Sequence, residues 1–71
     1  MTNEEAKAKA VDIVNKYALI VPSRMKAVLC AIEEVKACMS YVQHFYYPNG
    51  KQCTTTRYLE MEQILSELEK M

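Results

Sequence analysis

Few side chains in this 71-residue sequence could act as a nucleophile or a metal ligand. They are three cysteines, Cys30, Cys38 and Cys53, and one histidine, His44. A cysteine nucleophile needs a base within hydrogen-bond reach and a further group that orients the base. Cys38 lies six residues before His44, on a different face of a predicted helix, and Cys53 lies beyond a predicted turn. Because this spacing places no thiol beside the imidazole, we predict no catalytic residue and expect that the protein is not an enzyme.

The same residues are poorly spaced for a metal site. Structural zinc sites usually contain Cys-x-x-Cys or His-x-x-x-His pairs, and the sequence has neither. A zinc site of Cys38, His44 and Cys53 at the turn is a weaker alternative, whereas Cys30 and Cys38 are interpreted as small buried hydrophobic residues. The carboxylates at positions 33–34 are interpreted as a solvated face. We therefore expect no metal and no cofactor.

Aromatic residues cluster in one segment, where four of the six lie within positions 41–47. Tyr41 and Phe45 continue the apolar pattern of a helix and are expected to be partly core. Tyr46 and Tyr47 are adjacent, so both cannot point inward on a helix, and at least one should be exposed. Tyrosine is common at the energetic centres of protein interfaces. We predict a partner-binding site of Tyr41, His44, Tyr46 and Tyr47; the alternative is that the second tyrosine only covers the helix end.

A second candidate site, for an anion, follows the turn. Its residues are Lys51, Thr54, Thr55, Thr56 and Arg57. The N-terminus of a helix presents unpaired N–H groups and a positive dipole end, which favour phosphate or carboxylate, and a neighbouring tyrosine could stack on a base. The alternative is ordinary capping of a helix by threonine.

Charge and hydropathy exclude several classes of partner. Nine basic and nine acidic residues give a net charge of zero, which argues against general nucleic-acid binding. The longest runs without Asp, Glu, Lys, Arg or His, at 17–23 and 37–43, are far shorter than the roughly 20 apolar residues that span a bilayer. An odd number of cysteines and a polar, acidic N-terminus favour reduced thiols in a bacterial cytosol.

The pattern of apolar residues predicts three helices, at about 3–20, 24–46 and 56–70. Thr2 to Glu5 fits a capping box, Pro22 should end the first helix, and Ser23 is a natural cap for the second. The segment 47–51 predicts a turn, and Asn49-Gly50 leaves a short β-hairpin as the alternative. We predict a single all-α domain over residues 1–71, either a three-helix bundle or a helical hairpin with a third packed helix.

The second helix is apolar on more than one side. Its predicted seam is Met25, Val28, Leu29, Ile32, Val35, Met39 and Val42, and a second apolar strip runs beside it. A helix of this kind needs neighbours on two sides. We therefore expect the chain to form a homo-oligomer.

Two runs, Ala31-Ile32-Glu33-Glu34-Val35 and Ile64-x-x-Glu67-Leu68-Glu69-Lys70-Met71, resemble segments of small uncharacterised helical proteins. Many of these are encoded by phages, prophages and mobile elements of Bacteroides-type bacteria. The lysine- and alanine-rich first helix is also similar, whereas the absence of a tryptophan from the last helix and the segment 46–50 depart from the pattern. The resemblance implies a setting in which small accessory proteins often bind and neutralise host factors, including defence systems.

Three hypotheses for function follow. The first is a phage- or mobile-element-encoded interaction protein that binds or inhibits an unknown host protein, including an antiviral defence enzyme. The second is a small-molecule binder, such as a sponge for nucleotide signals, that uses the predicted anion site and a tyrosine. The third and weakest is a structural subunit of a virion or a larger complex.

Overall fold

The computed structural model describes residues 2–51 and 54–71, which form three α-helices. The helices are α1 (Asn3–Ala18), α2 (Arg24–Tyr46) and α3 (Thr56–Glu69). Each helix packs against the other two, and the described ranges contain no strand. The predicted all-α, three-helix bundle is therefore confirmed, with α1 and α3 ending slightly before the predicted positions.

Local signals fix where α1 begins and ends. The Thr2 Oγ1 accepts a hydrogen bond from the backbone N–H of Glu5 (3.1 Å), which satisfies one N–H group that has no partner within the helix. The Glu5 carboxylate accepts from the Thr2 hydroxyl (3.1 Å), and not from the Thr2 backbone as a full capping box would require. At the other end, the N–H groups of Ile20 and Val21 both donate to the Tyr17 carbonyl (2.9 Å each), so the chain turns before Pro22.

Side-chain caps also start the other two helices. The Ser23 hydroxyl accepts from the backbone N–H of Lys26 (3.4 Å) at the start of α2, as predicted. Of the three threonines around the start of α3, Thr55 is the cap, and its hydroxyl accepts from the Tyr58 N–H (3.3 Å). Capping thus accounts for the hydroxyl of Thr55 without a ligand.

The connection between α2 and α3 begins as a turn and not as a hairpin. The helix continues through Phe45 and Tyr46, so the first strand of the alternative hairpin does not form, while positions 52–53 of its second strand lie outside the described residues. Gly50 has a φ of +87°, which glycine adopts at little steric cost. The Gln43 side-chain amide donates to the carbonyls of Tyr47 (3.4 Å) and Lys51 and holds the turn against α2.

Small residues dominate the core. Of the ten hydrophobic residues that are buried in the described part of the chain, seven are alanine or valine. The ten are Ala6, Ala10, Val14, Ala27, Ala31, Val35, Met39, Val42, Ile64 and Leu68. Small side chains allow two helices to approach closely, because the interaxial distance depends on the residues at the contact. The core therefore consists mainly of small side chains, and Leu68 and Val14 are the largest that are fully buried.

The predicted seam of α2 is only partly right. Val35, Met39 and Val42 are buried, but Met25 and Leu29 are 74% and 56% exposed. The buried stripe runs back from Met39 and Val35 in four-residue steps to two alanines at 31 and 27, and residues at this spacing share a face of a helix. The large residues at the start of α2 thus lie beside the core and not in it.

Candidate functional site

Three aromatic side chains form an exposed cluster on the last two turns of α2. Tyr41, Phe45 and Tyr46 are 72%, 66% and 57% exposed. The rings of Tyr41 and Phe45 are nearly parallel, with centroids 6.3 Å apart. Phe45 and Tyr46 meet edge to face, with centroids 5.0 Å apart. Because the rings contact one another and leave most of their surface in solvent, they form a continuous patch.

The expectation that Tyr41 and Phe45 are core residues was wrong. Tyr41 lies two residues after the buried Met39, and two residues correspond to about 200° of rotation around an α-helix. Tyr41 therefore points away from the core, and Phe45, four residues later, lies on the same side. The apolar surface of both rings faces solvent and not the interior of the bundle.

The cluster forms one wall of an open groove between α2 and α3. We call this feature the aromatic groove; it has a volume of about 440 Å³, and its principal residues are Cys38, Tyr41, Phe45, Tyr46, Arg57 and Met61. Arg57 and Met61 are one turn apart on α3 and lie across from the aromatic rings. The structure thus joins one residue of the predicted anion site to two residues of the predicted partner-binding site.

The other predicted partner-binding residues do not line this groove. His44 is exposed, but it lies outside the residues that surround the groove. Tyr47 is half-buried at the end of α2, where its hydroxyl lies 3.5 Å from the Thr54 Oγ1. The prediction that at least one of Tyr46 and Tyr47 is exposed is confirmed by Tyr46.

The predicted anion site is dispersed. Thr54 and Thr56 are exposed, Thr55 caps α3, and the carbonyl of Lys51 accepts from the Gln43 side chain. Only Arg57 faces the aromatic groove. The segment therefore begins a helix by ordinary capping, and its one contribution to the groove is a guanidinium group.

Among the described residues that line the groove, Arg57 is the only one with a formal charge. Positions 37–50 contain no Asp, Glu, Lys or Arg, so the α2 wall carries no formal charge. Among the residues that the structure describes, Arg57 has no carboxylate within ion-pair distance. The groove thus combines an aromatic wall with a guanidinium group that can bind a carboxylate or a phosphate.

The prediction that Cys30 and Cys38 are buried was wrong. Cys30 is half-buried, and Cys38 is exposed beside the aromatic rings. Cys53 lies outside the described residues, so the alternative zinc grouping of Cys38, His44 and Cys53 is not described either. In residues 2–51 and 54–71, no three His, Cys, Asp or Glu side chains lie close enough to hold a metal ion.

A polar cluster that no motif in the sequence predicted joins α1 to α2. The Glu34 carboxylate accepts hydrogen bonds from the Lys16 ammonium (2.7 Å) and from the Tyr17 hydroxyl (3.1 Å). The Lys16 hydrogen bond, with help from the one donated by Tyr17, lowers the pKa of Glu34 even though burial opposes the shift. The same contacts with Glu34 raise the pKa values of Lys16 and Tyr17. This cluster links α1 to α2, and none of its three residues lines the aromatic groove.

Comparison of the chain with protein-family models, with curated proteins and with solved structures found no match. Within the described ranges, none of the helices is both long enough and apolar enough to cross a bilayer.

Proposed function

We propose that this chain is a small, non-catalytic protein-interaction domain whose aromatic groove binds a helix of a partner protein. The observation that carries the proposal is the exposure of Tyr41, Phe45 and Tyr46 in one patch beside Arg57. Tyrosine and arginine are enriched among the residues that dominate binding energy at protein interfaces. Large aromatic rings that are exposed to solvent contribute little to the stability of the fold. A partner that covers them would therefore gain binding free energy from the burial of their apolar surface.

The shape and charge of the groove favour a helix that carries a carboxylate. The groove lies between two helices and has a volume of about 440 Å³, and amphipathic helices bind such grooves through anchors at i, i+3, i+4 and i+7. The guanidinium of Arg57 has no ion pair among the described residues. An Asp or Glu of the partner could bind it through two parallel hydrogen bonds, which is the geometry that distinguishes arginine from lysine.

The resemblance to small proteins of phages, prophages and mobile elements supports a host protein as that partner. In this form of the proposal, the domain binds a host factor and inhibits it, and an antiviral defence enzyme is the leading kind of target. The groove would act by covering a helix that the host factor needs for its own assembly or activity.

Selection of helical peptides tests the groove even when the partner protein is unidentified. A displayed library of amphipathic helices would be selected on the wild-type chain and, in parallel, on a Tyr41→Ser/Phe45→Ser variant. We expect enriched sequences with apolar anchors at helical spacing and a carboxylate. Truncation of a residue at the centre of an interface costs about 2 kcal/mol or more, so Tyr46→Ala should weaken binding about 30-fold.

Matched variants separate the groove from the rest of the surface. Leu59 is 47% exposed on α3 but does not line the groove, so Leu59→Ala should leave peptide binding unchanged. Arg57→Lys should lose most of the contribution of Arg57 if the carboxylate binds it in the bidentate manner. Enrichment of the same peptides on the Tyr41→Ser/Phe45→Ser variant, or of none on the wild type, would refute the proposal.

A nucleotide ligand is the second candidate, and one observation favours it. The groove places a guanidinium near exposed aromatic rings, which together could bind a phosphate and stack on a base. Thermal-shift measurements with cyclic and linear nucleotides distinguish the two candidates. A nucleotide that raises the melting temperature of the wild type, but not of Arg57→Ala, would favour the nucleotide sponge over the protein partner.

A further inference from the structure

A second open groove lies at the start of α2, where α2 meets the end of α3. We call it the aliphatic groove; it has a volume of about 380 Å³, and its principal residues are Arg24, Met25, Leu29, Leu68, Glu69 and Met71. None of the described residues that line it is aromatic. Leu68 also belongs to the core, so a molecule bound in this groove would extend the hydrophobic core of the bundle.

The apolar spacing along this part of α2 is that of a helix packed against another helix. Met25, Leu29 and Ile32 follow one another at steps of four and three residues, which is the period of a helix–helix seam. Met25 and Leu29 are nevertheless 74% and 56% exposed. The seam therefore has no complete partner within the described part of the chain, and a helix from outside the bundle could cover it.

The charges around the groove fit a second copy of the same chain. Arg24 and Glu69 both line the groove, and among the described residues neither has an ion pair. In a two-fold dimer the same patch meets itself, so each residue of one copy contacts its complement on the other. Such a contact can pair Arg24 with Glu69 twice, whereas a partner helix of one charge sign would leave one of the two groups unpaired.

The area that a dimer needs shows how the copies must meet. A stable interface buries about 800 Å² on each partner, roughly one-sixth of the 5041 Å² surface of this chain. The chain extends 40 Å along its length but only 23 and 16 Å across it, so a contact along its side offers more surface than a contact through one tip. The interface must therefore extend along the side of α2, as the positions of Met25 and Leu29 also require.

We propose that this chain forms a two-fold homodimer through the aliphatic groove. Met25 and Leu29 of each copy pack against the other copy, and Arg24 of each copy pairs with Glu69 of the second. The dimer leaves the aromatic groove, at the opposite end of α2, open for a different partner. This inference is independent of the proposed function, because it depends on a separate groove.

Sedimentation equilibrium of purified full chain tests the proposal, together with helical circular dichroism to show that each variant is folded. The wild type should become dimeric as its concentration is raised to about 100 µM. The Met25→Ser/Leu29→Ser variant should be a folded monomer, because both side chains are largely exposed in the single chain. The Tyr41→Ser/Phe45→Ser variant is the matched control and should remain dimeric.

A charge exchange tests the two-fold pairing itself. Arg24→Glu alone, or Glu69→Arg alone, places like charges opposite each other and should weaken dimerisation about 10-fold or more. The double variant Arg24→Glu/Glu69→Arg should recover the wild-type dimer. A monomeric wild type, a dimer that the Met25→Ser/Leu29→Ser variant retains, or a double variant no stronger than the single ones would overturn the proposal.

Discussion

Truncation of Phe45 should barely affect the stability of the fold, although phenylalanine is among the most costly residues to remove from a core. A fully buried phenylalanine side chain contributes about 1.5–3 kcal/mol through burial. Phe45 is 66% exposed, so about a third of that value, roughly 0.5–1 kcal/mol, is available to lose. Alanine also has a helix propensity better than that of phenylalanine by up to about 0.5 kcal/mol. The net cost of Phe45→Ala should therefore be about 0–1 kcal/mol.

Leu68→Ala provides the comparison within the same chain. Leu68 is fully buried, and replacement of a buried leucine by alanine costs about 2–5 kcal/mol. A domain of this size rarely has more than about 3–5 kcal/mol of net stability, so Leu68→Ala should remove a large part of it.

Urea denaturation followed by circular dichroism measures both effects. The midpoint for Phe45→Ala should stay close to that of the wild type, with an unchanged slope, whereas the midpoint for Leu68→Ala should fall to a much lower urea concentration. If Phe45→Ala destabilises the chain as much as Leu68→Ala does, Phe45 is a core residue and the aromatic groove does not exist as described.

Three further predictions concern the scaffold. Glu34→Gln should remove the stabilisation that accompanies the lowered pKa of Glu34. This contribution is fully present above the ordinary value of 4.5 and is lost as pH falls through the lower folded-state value, so in urea titrations the stability difference between variant and wild type should shrink as pH falls below 4.5. Gly50→Ala should cost about 1–2 kcal/mol through the positive φ alone, since no atom lies within 4 Å of the added methyl group, and Gly50→Asn should cost less by the same measurement. Ala31→Leu should destabilise the bundle by about 1–3 kcal/mol, because Ala31 is fully buried where two helices meet; a higher melting temperature for this variant would contradict the tight packing.

Helix starts could be predicted from the sequence because their causes are local. Thr2 and Ser23 lie within three residues of the N–H groups that they cap, and Pro22 acts on its immediate neighbour. Each of these signals is complete within a few residues, so the order and extent of the helices followed from the sequence with small errors at the C-terminal ends.

The rotation of α2 could not be predicted in the same way. Both Met39 and Tyr41 are apolar enough for a core, and the choice between them depends on where α1 and α3 lie around α2. Two of the core residues on α1 are Ala6 and Ala10. Alanine is only weakly hydrophobic, so the core-facing side of α1 is a weak signal in the sequence. Residue size alone therefore predicted that the larger side chains lie in the interior, whereas in the structure they are exposed to solvent.

The composition of the aromatic groove also depends on long-range packing. Arg57 and Met61 face Tyr41 only because α3 returns alongside α2, and no spacing in the sequence encodes that approach. The same holds for Glu34, whose donors on α1 lie 17 and 18 residues away. By contrast, the local clustering of Tyr46 with other aromatic residues did predict the segment of α2 in which the exposed rings lie.

Mapping of a selected helical peptide by the backbone amide chemical shifts of the labelled chain tests the proposed function most directly. We expect the largest changes at positions 37–46 and 57–61, which form the aromatic groove, with loss of the changes in the Tyr41→Ser/Phe45→Ser variant. Changes concentrated instead at positions 24–32 and 68–71 would assign peptide binding to the aliphatic groove and would contradict the proposed function.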